Sequence, residues 1–349
     1  MTFPNRNLGG TGVYAHSLLD RVQRQGEVTT SEIAGPSRSN FVATLAWLLA
    51  GARRALRQRP ADILHCPGFV APWFVPIPVV VTVHDAGGRR FPDDHPLEWR
   101  AYDRAFIGGR LRSAARVITG SEFARRELIE VYRLRPGQVV TIPYGIDPRF
   151  LEARAPAREG EIDELRMIFP GAPVGRKNLA AVLLAMAAAA GDSALGRARL
   201  DISGARAEDF SRLAALVRSL GLERRVSWLG RVPAEELPAL VSRASLVVYP
   251  SLYEGFGFPP LEAMAVGTPV VASDRGSLPE VLGDAALLVD PEDGRALTQA
   301  LEAVLQRPDL GQRLRDAGRA RARLYSWERC AEATTQVYRE VAASGQGRR

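Results

Sequence analysis

The chain has 349 residues, 46% of them hydrophobic and 24% charged, with a formal net charge of +7. It is long enough for two ordinary domains, too apolar for a disordered or fibrous protein, and basic enough to suit anionic partners without selecting one. No apolar run reaches the roughly 20 residues of a membrane-spanning helix, no basic-then-apolar leader opens the chain, and its two cysteines, Cys66 and Cys330, form no metal-type spacing, so a cytoplasmic protein with reduced thiols is expected.

In the first half, short β-branched runs predict strands at Glu27 to Glu32, Ile63 to Cys66, Val79 to Val83, Val117 to Thr119 and Val139 to Ile142, with helices over 40–58, 97–115 and 121–133. Only MTFPNRNL precedes Gly9, so the strand expected ahead of the first glycine-rich loop is missing or very short. The stretch GIDPRFLEARAPAREGEID, 145–163, mixes Pro, Gly and charge without periodicity and reads as a linker. Beyond it, strands are predicted at Arg166 to Phe169, Leu200 to Ser203, Val226 to Leu229, Leu246 to Tyr249, Pro269 to Ala272 and Ala286 to Val289. The matching helices are 177–190, 208–220, 234–243, 259–266, 293–306, 309–324 and 327–343. This alternation argues α/β architecture: two doubly wound, Rossmann-like domains, 1–150 and 151–326, facing a central cleft, with a final helical segment 327–349.

Lys177, in GAPVGRKNL, is the one lysine among 46 Lys and Arg residues. Lysine is a compact point charge and arginine a planar fork, so a crowded phosphate beside Arg176 can require lysine; a solvent-facing helix start is the plain alternative. In SLYEGFGFPPLEAMAVGTPVVASD, 251–274, Pro259 and Pro260 suit the first positions of a helix. Glu262 is then expected in its first turn and Glu254 in the loop before it, two carboxylates framing a helix N-terminus. Backbone donors near Phe256, Gly257 and Phe258 suit hydroxyls or phosphate oxygens. Alternatively, Glu254 is solvated and Glu262 only complements the dipole.

LGGTG, 8–12, offers the amides of Gly10 and Thr11 as a modest anion site. VVVTVHDAGG places His84 and Asp85 just beyond a buried strand, where α/β active sites lie, although a lone His there is often structural. In TGSEFARREL, Ser121 suits a helix N-cap and Glu122 the first turn. No Asp-x-Asp ends a strand: Asp93, Asp94, Asp290 and Asp293 read as loop or helix-start residues, so no metal is expected.

Glu-x7-Glu within EGFGFPPLEAMAVGTPVVAS, with GxRKN after a strand and an amino-terminal GGxG loop, resembles the retaining nucleotide-sugar glycosyltransferases of family 4, which have the GT-B fold. The resemblance covers almost the whole chain. It implies that Glu254 contacts the donor hexose near the reacting carbon, that Glu262 binds the ribose hydroxyls, and that the amides of Phe256, Gly257 and Phe258 line the sugar and phosphate site. Arg176 and Lys177 would neutralise the diphosphate and stabilise it as it leaves. Gly10 and Thr11 would close over the phosphates, His84 would act near the transferred sugar with Asp85 orienting it, and Asp85 and Ser121 would meet the acceptor. Gly230 and Arg231, in LGRV, would lie at the donor base, and the last helix would return to the first domain. Tyr144, in IPYGID, stands where Asn is common. The implied reaction moves a hexose, with retention and without metal or other cofactor, from GDP-mannose or, second, UDP-glucose to a hydroxyl of a glycan, lipid or small molecule.

Residues 40–59, NFVATLAWLLAGARRALRQR, bring Phe41, Leu45, Leu48, Leu49 and Leu56 near one stripe, followed by Arg53, Arg54, Arg57 and Arg59. Peripheral contact with an acidic inner membrane face competes here with an ordinary core-facing helix. A nicotinamide-dependent dehydrogenase would need G-x-G-x-x-G after a strand, and a pyridoxal phosphate phosphorylase would need a Schiff-base lysine, yet the only lysine lies in GxRKN. No aromatic-interleaved basic motif supports nucleic acid, which leaves a non-catalytic nucleotide-sugar-binding protein as the other reading.

Overall fold

The structure, a computed structural model, describes residues 2–3, 10–34, 46–153 and 165–346. The chain divides into two compact units, Met1–Gly145 with Ser326–Arg349, and Ile146–Tyr325.

In the first unit, β1 (Thr2–Phe3) pairs parallel with β2 (Ile33–Ala34), and β3 (Leu64–Cys66), β4 (Val79–Thr82), β5 (Arg116–Thr119) and β6 (Val139–Thr141) form a parallel sheet in that order. The strand expected over Glu27 to Glu32 is not one. Among the described residues, pairing with β1 begins at Ile33, one residue beyond it. The helix Gly10–Gln25 buries Tyr14, Ala15, Leu18, Leu19 and Val22, the spacing of a single helical face. The helix Trp327–Gln346 packs on it, with Arg21 to Glu328 at 2.6 Å and Arg339 to Glu27 at 2.8 Å. Cys66 and Cys330 are buried free thiols.

Within the 40–58 prediction, Trp47–Gly51 is π-helical and Ala52–Gln58 α-helical; Phe41 and Leu45 lie outside the described residues. Leu48 and Leu56 pack into the core of this unit, so neither is offered to lipid, whereas Leu49 is exposed. No helix among the described residues is long and apolar enough to cross a membrane.

The second unit holds one six-stranded parallel sheet: β7 (Arg166–Phe169), β8 (Arg199–Ser203), β9 (Val226–Gly230), β10 (Leu246–Tyr249), β11 (Val270–Ser273) and β12 (Leu287–Val289), in the spatial order β12-β11-β10-β7-β8-β9. Several strands are near-continuous apolar runs because helices such as Leu179–Ala188 and Gly294–Gln306 shield the sheet; Leu246, Val248 and Val271 are fully buried. Each such side chain contributes roughly 1.5–3 kcal/mol. The chain runs outward from β7 in one direction, then outward from β10 in the other. That reversal is a topological switch point, where the loops leaving the two central strands diverge and open a crevice.

The predicted linker is partly ordered. Asp147 accepts the Arg149 N–H at 3.0 Å and Pro148 sits in the first turn, which starts the short helix Pro148–Glu152 in the second unit; residues 154–164 lie outside the described residues.

Candidate functional site

The loop after β7 carries Arg176 and Lys177 in a 3-10 turn, Gly175–Lys177. Asn178 closes this turn in the left-handed region and donates to the Pro291 carbonyl at 3.0 Å. The loop after β10 carries Glu254. Although 78 residues apart in sequence, Arg176 Nη1 and Glu254 Oε1 are 2.8 Å apart, and the same Nη1 donates to the Tyr253 carbonyl at 2.9 Å. Lys177 Nζ lies 3.5 Å from Glu254 Oε1 and 4.3 Å from the centre of the Tyr249 ring, and it donates to the Tyr249 hydroxyl. That hydroxyl and Ser251 Oγ each donate to Oε1 at 2.9 Å. Glu254 is therefore a buried carboxylate at 8% exposure, and Lys177 is not turned to solvent, so the solvated alternatives for both residues fail. Burial pushes the Glu254 carboxyl up, but Lys177, Arg176 and the two hydroxyl donors outweigh it and hold the group below its ordinary value. Burial and the Glu254 charge in turn keep the Tyr249 hydroxyl protonated.

Two glycines shape this loop. Gly276, with φ +66°, passes so close that a Cβ there would lie 2.7 Å from the Glu254 carbonyl oxygen and 2.8 Å from its nitrogen. Gly257, with φ +96°, precedes the helix Phe258–Val266, and a Cβ there would sit 2.6 Å from a Leu278 methyl. Phe256 packs against Phe258 and Tyr325.

Glu262 is the fifth residue of that helix, one position deeper than expected and past its first turn, so complementing the dipole does not account for it. Burial raises its carboxyl to about 7; Asp147 adds to the shift and Arg149, from the short helix before β7, opposes it. At the end of β9, the Gly230 N–H donates to Ala205 and its carbonyl accepts from Gly204 at 2.7 Å, so its backbone is engaged within the unit; Arg231 is exposed.

In the first unit, His84, Ser121 and Tyr144 follow the carboxyl ends of β4, β5 and β6. His84 Nδ1 shares a hydrogen bond with the Tyr144 hydroxyl at 2.9 Å, and Asp85 accepts the Gly87 N–H at 2.7 Å. The Tyr144 hydroxyl is thus one group that holds the imidazole. Burial pushes His84 down to about 4, with the Pro67 carbonyl pulling the other way, so the ring is neutral at ordinary pH. Ser121 Oγ caps its helix by accepting the Ala124 N–H at 3.0 Å. Gly10 and Thr11 form the first turn of Gly10–Gln25, whose Tyr14 packs against Tyr144 and His84 and hydrogen-bonds Thr82 at 2.9 Å; Leu8 and Gly9 lie outside the described residues. No group of three or more His, Cys, Asp or Glu able to hold a metal ion occurs among the described residues.

Sequence reasoning overlooked Tyr249, Ser251, Gly276, Asp147 and Arg149. Only Asp147 carried a local signal, the Asp-Pro pair that starts a helix.

Residues 155–321 match the family model described as Glycosyl transferases group 1, and residues 8–150 match Glycosyltransferase Family 4. The O-antigen chain mannosyltransferase B of Escherichia coli is 33% identical over 292 residues, 82% of this chain and 76% of that protein. The MMP alpha-(1->4)-mannosyltransferase of Mycolicibacterium hassiacum is 30% identical over 339 residues, 91% of this chain and 79% of that one. In fold, the sucrose-phosphate synthase of Thermosynechococcus elongatus superimposes with TM-score 0.80 at 24% identity, over 96% of this chain and 94% of that one.

Proposed function

The chain belongs to the group 1 glycosyltransferases and has their GT-B fold of two Rossmann-like units; from that premise we propose that it moves a hexose, with retention, from a nucleoside diphosphate sugar to an acceptor hydroxyl. One observation carries the reading. Arg176 and Lys177, after β7, converge with Glu254, after β10, at the switch point of the second unit's sheet.

In this reading the two cations take the diphosphate and balance the charge that grows on it as the glycosidic bond breaks, so no metal is required. Glu254, held ionised, accepts hydroxyls of the hexose. Because Oε1 already receives Arg176, Tyr249 and Ser251, it is a weak nucleophile, which favours a front-face route to retention over a covalent intermediate. Glu262 accepts the ribose hydroxyls, and the amides of Phe256, Gly257 and Phe258 line the sugar and phosphates. In the first unit, Gly10 and Thr11 approach the phosphates, neutral His84 hydrogen-bonds the transferred sugar, and Asp85 and Ser121 meet the acceptor. The names of the two mannosyltransferase relatives favour GDP-mannose as donor.

The test is a panel of GDP- and UDP-sugars with candidate glycan, lipid-linked and small-molecule acceptors, run with and without EDTA. Free nucleoside diphosphate is followed, and the product's anomeric configuration is read by NMR. GDP-mannose turnover that survives EDTA, gives the α-product and collapses in Glu254→Gln is expected. Loss with EDTA would remove the metal-free step, a β-product would remove retention, and turnover unchanged in Glu254→Gln would sink the site.

A further inference from the structure

The first unit carries a pocket at the end of its sheet opposite His84. It reaches Val79 and Arg116, the first residues of β4 and β5, and Gln138, just before β6, so it opens at the amino ends of strands whose carboxyl ends lead to His84, Ser121 and Tyr144. Its volume is about 820 Å³, and among the described residues Arg110, Arg116 and Arg135 line it with no carboxylate.

Some arginines of this unit meet acids, as Arg90 meets Glu127 at 2.7 Å and Arg89 meets Asp103 at 2.8 Å, and others meet only carbonyls, as Arg112 meets that of Tyr132 at 3.0 Å. No acid meets the pocket arginines among the described residues. Arg116 donates to the Ala115 carbonyl at 3.1 Å, and Arg110 lies over the Trp73 ring at 5.1 Å with its Nε buried and lacking an acceptor. Gln138, 3% exposed, places both amide hydrogens on carbonyls of the 111–114 turn, while its buried Oε1 has no donor. Three guanidinium groups around one concavity focus a positive potential there and present the forks that suit a phosphate. Beside them stand an aromatic face and an amide oxygen wanting a hydroxyl donor.

We propose that this pocket binds a phosphate monoester on a hydroxylated carrier, such as a sugar phosphate, separately from the diphosphate grip of the second unit. The phosphate sits among Arg110, Arg116 and Arg135; a carrier hydroxyl donates to Gln138 Oε1, and the carrier's apolar face lies against Trp73. A phosphate monoester brings nearly two negative charges and several acceptor oxygens, matching a site of excess donors better than a carboxylate does.

Glucose 6-phosphate titrated calorimetrically into the full-length protein tests this. Saturation below about 10 mM is expected, with affinity at least about tenfold weaker in Arg110→Gln/Arg135→Gln and within about twofold of wild type in Lys177→Gln. No saturation in that range, or the loss appearing in Lys177→Gln and not in the arginine pair, overturns the proposal. Arg135 is exposed, so Arg135→Gln alone provides a variant whose folding is not at stake. The carrier is identified by co-sedimentation with vesicles of phosphatidylcholine containing phosphatidylinositol 4-phosphate, whose headgroup is a phosphate monoester on a hydroxylated ring. Sedimentation that depends on Arg110 and Arg135 assigns the phosphate to a lipid headgroup; sugar-phosphate binding without sedimentation assigns a soluble ligand.

Discussion

Glu262 gives the site a pH dependence that can be worked out in advance. Burial first, then the Asp147 charge, raise its carboxyl to about 7, with Arg149 opposing. A group with that value is about 0.1 ionised at pH 6 and about 0.9 ionised at pH 8. If the carboxylate is the form that accepts two ribose hydroxyls, only the ionised fraction is competent, and GDP should bind about tenfold more tightly at pH 8 than at pH 6. The nucleotide's terminal phosphate also titrates near pH 6, equally for wild type and for Glu262→Gln, so the quantity to measure is the ratio of their affinities. Stability moves the opposite way. The folded value lies above the ordinary 4.5, so this carboxyl's stabilisation is fully present below pH 4.5 and is lost as pH rises through about 7. The ceiling is about 3 kcal/mol, and partial solvent access lowers it to about 1–3 kcal/mol. Glu262→Gln should therefore gain stability relative to wild type between pH 5 and 8 while losing the pH dependence of binding. Calorimetric titration with GDP and urea denaturation, each at pH 5, 6, 7 and 8, measure both. An affinity ratio flat from pH 6 to 8 would refute the assignment of Glu262 to the nucleotide, whatever the stability curves do.

Glu254→Gln keeps the shape of the loop but frees Arg176 and Lys177 from their carboxylate. Turnover should fall by about 100-fold or more while GDP binds up to about tenfold tighter, because diphosphate no longer competes with Glu254 for the same cations; weaker GDP binding would contradict this. Both variants remove the counter-charge of two largely enclosed cations, but Glu254→Ala also removes the oxygen that accepts from Arg176, Tyr249 and Ser251, at a further cost of about 1–3 kcal/mol in urea denaturation, so the glutamine variant is the cleaner probe. Lys177→Arg preserves charge but brings a planar fork to a spot where Nζ lies 4.3 Å from the Tyr249 ring centre and 3.7 Å from where a Gly171 Cβ would stand. Donor kcat/KM should drop about tenfold or more; wild-type kinetics would mean that the lone lysine is chance. Gly276→Ala forces a methyl against the Glu254 backbone and should lower both stability, by about 1–3 kcal/mol, and turnover; an unchanged urea midpoint would show that the close approach is relieved without moving Glu254.

The sheets were legible because parallel strands shielded on both faces read as unbroken apolar runs. Arg166 to Phe169 and Leu246 to Tyr249 lie where their composition put them. Exposed segments gave weaker signals. Val28 and Thr30 alternate with polar neighbours as a strand would, yet among the described residues pairing starts at Ile33. The helix Pro148–Glu152 was overlooked because its acid and proline were read as linker composition, when together they are a helix start. Tyr249, Ser251 and Gly276 were not legible, because Gly276 meets Glu254 only once β11 lies beside β10, and Tyr249 and Ser251 share Glu254 with Arg176 and Lys177 only once β7 lies beside β10, neighbourhoods that sequence order conceals.

The same adjacency explains why the rarest residue type was the most informative one. A lysine chosen for net charge alone could have been arginine, as at every other basic position of this chain. At 177, however, the ammonium lies between the ring and hydroxyl of Tyr249 and the carboxylate of Glu254, while the neighbouring Arg176 already supplies the fork that bridges Glu254 and the Tyr253 carbonyl. A second fork there would need directional acceptors that Arg176 has taken, whereas a compact cation needs only proximity. Composition bias thus became a positional signal, because the background of arginine makes a requirement for small size visible before any geometry is known.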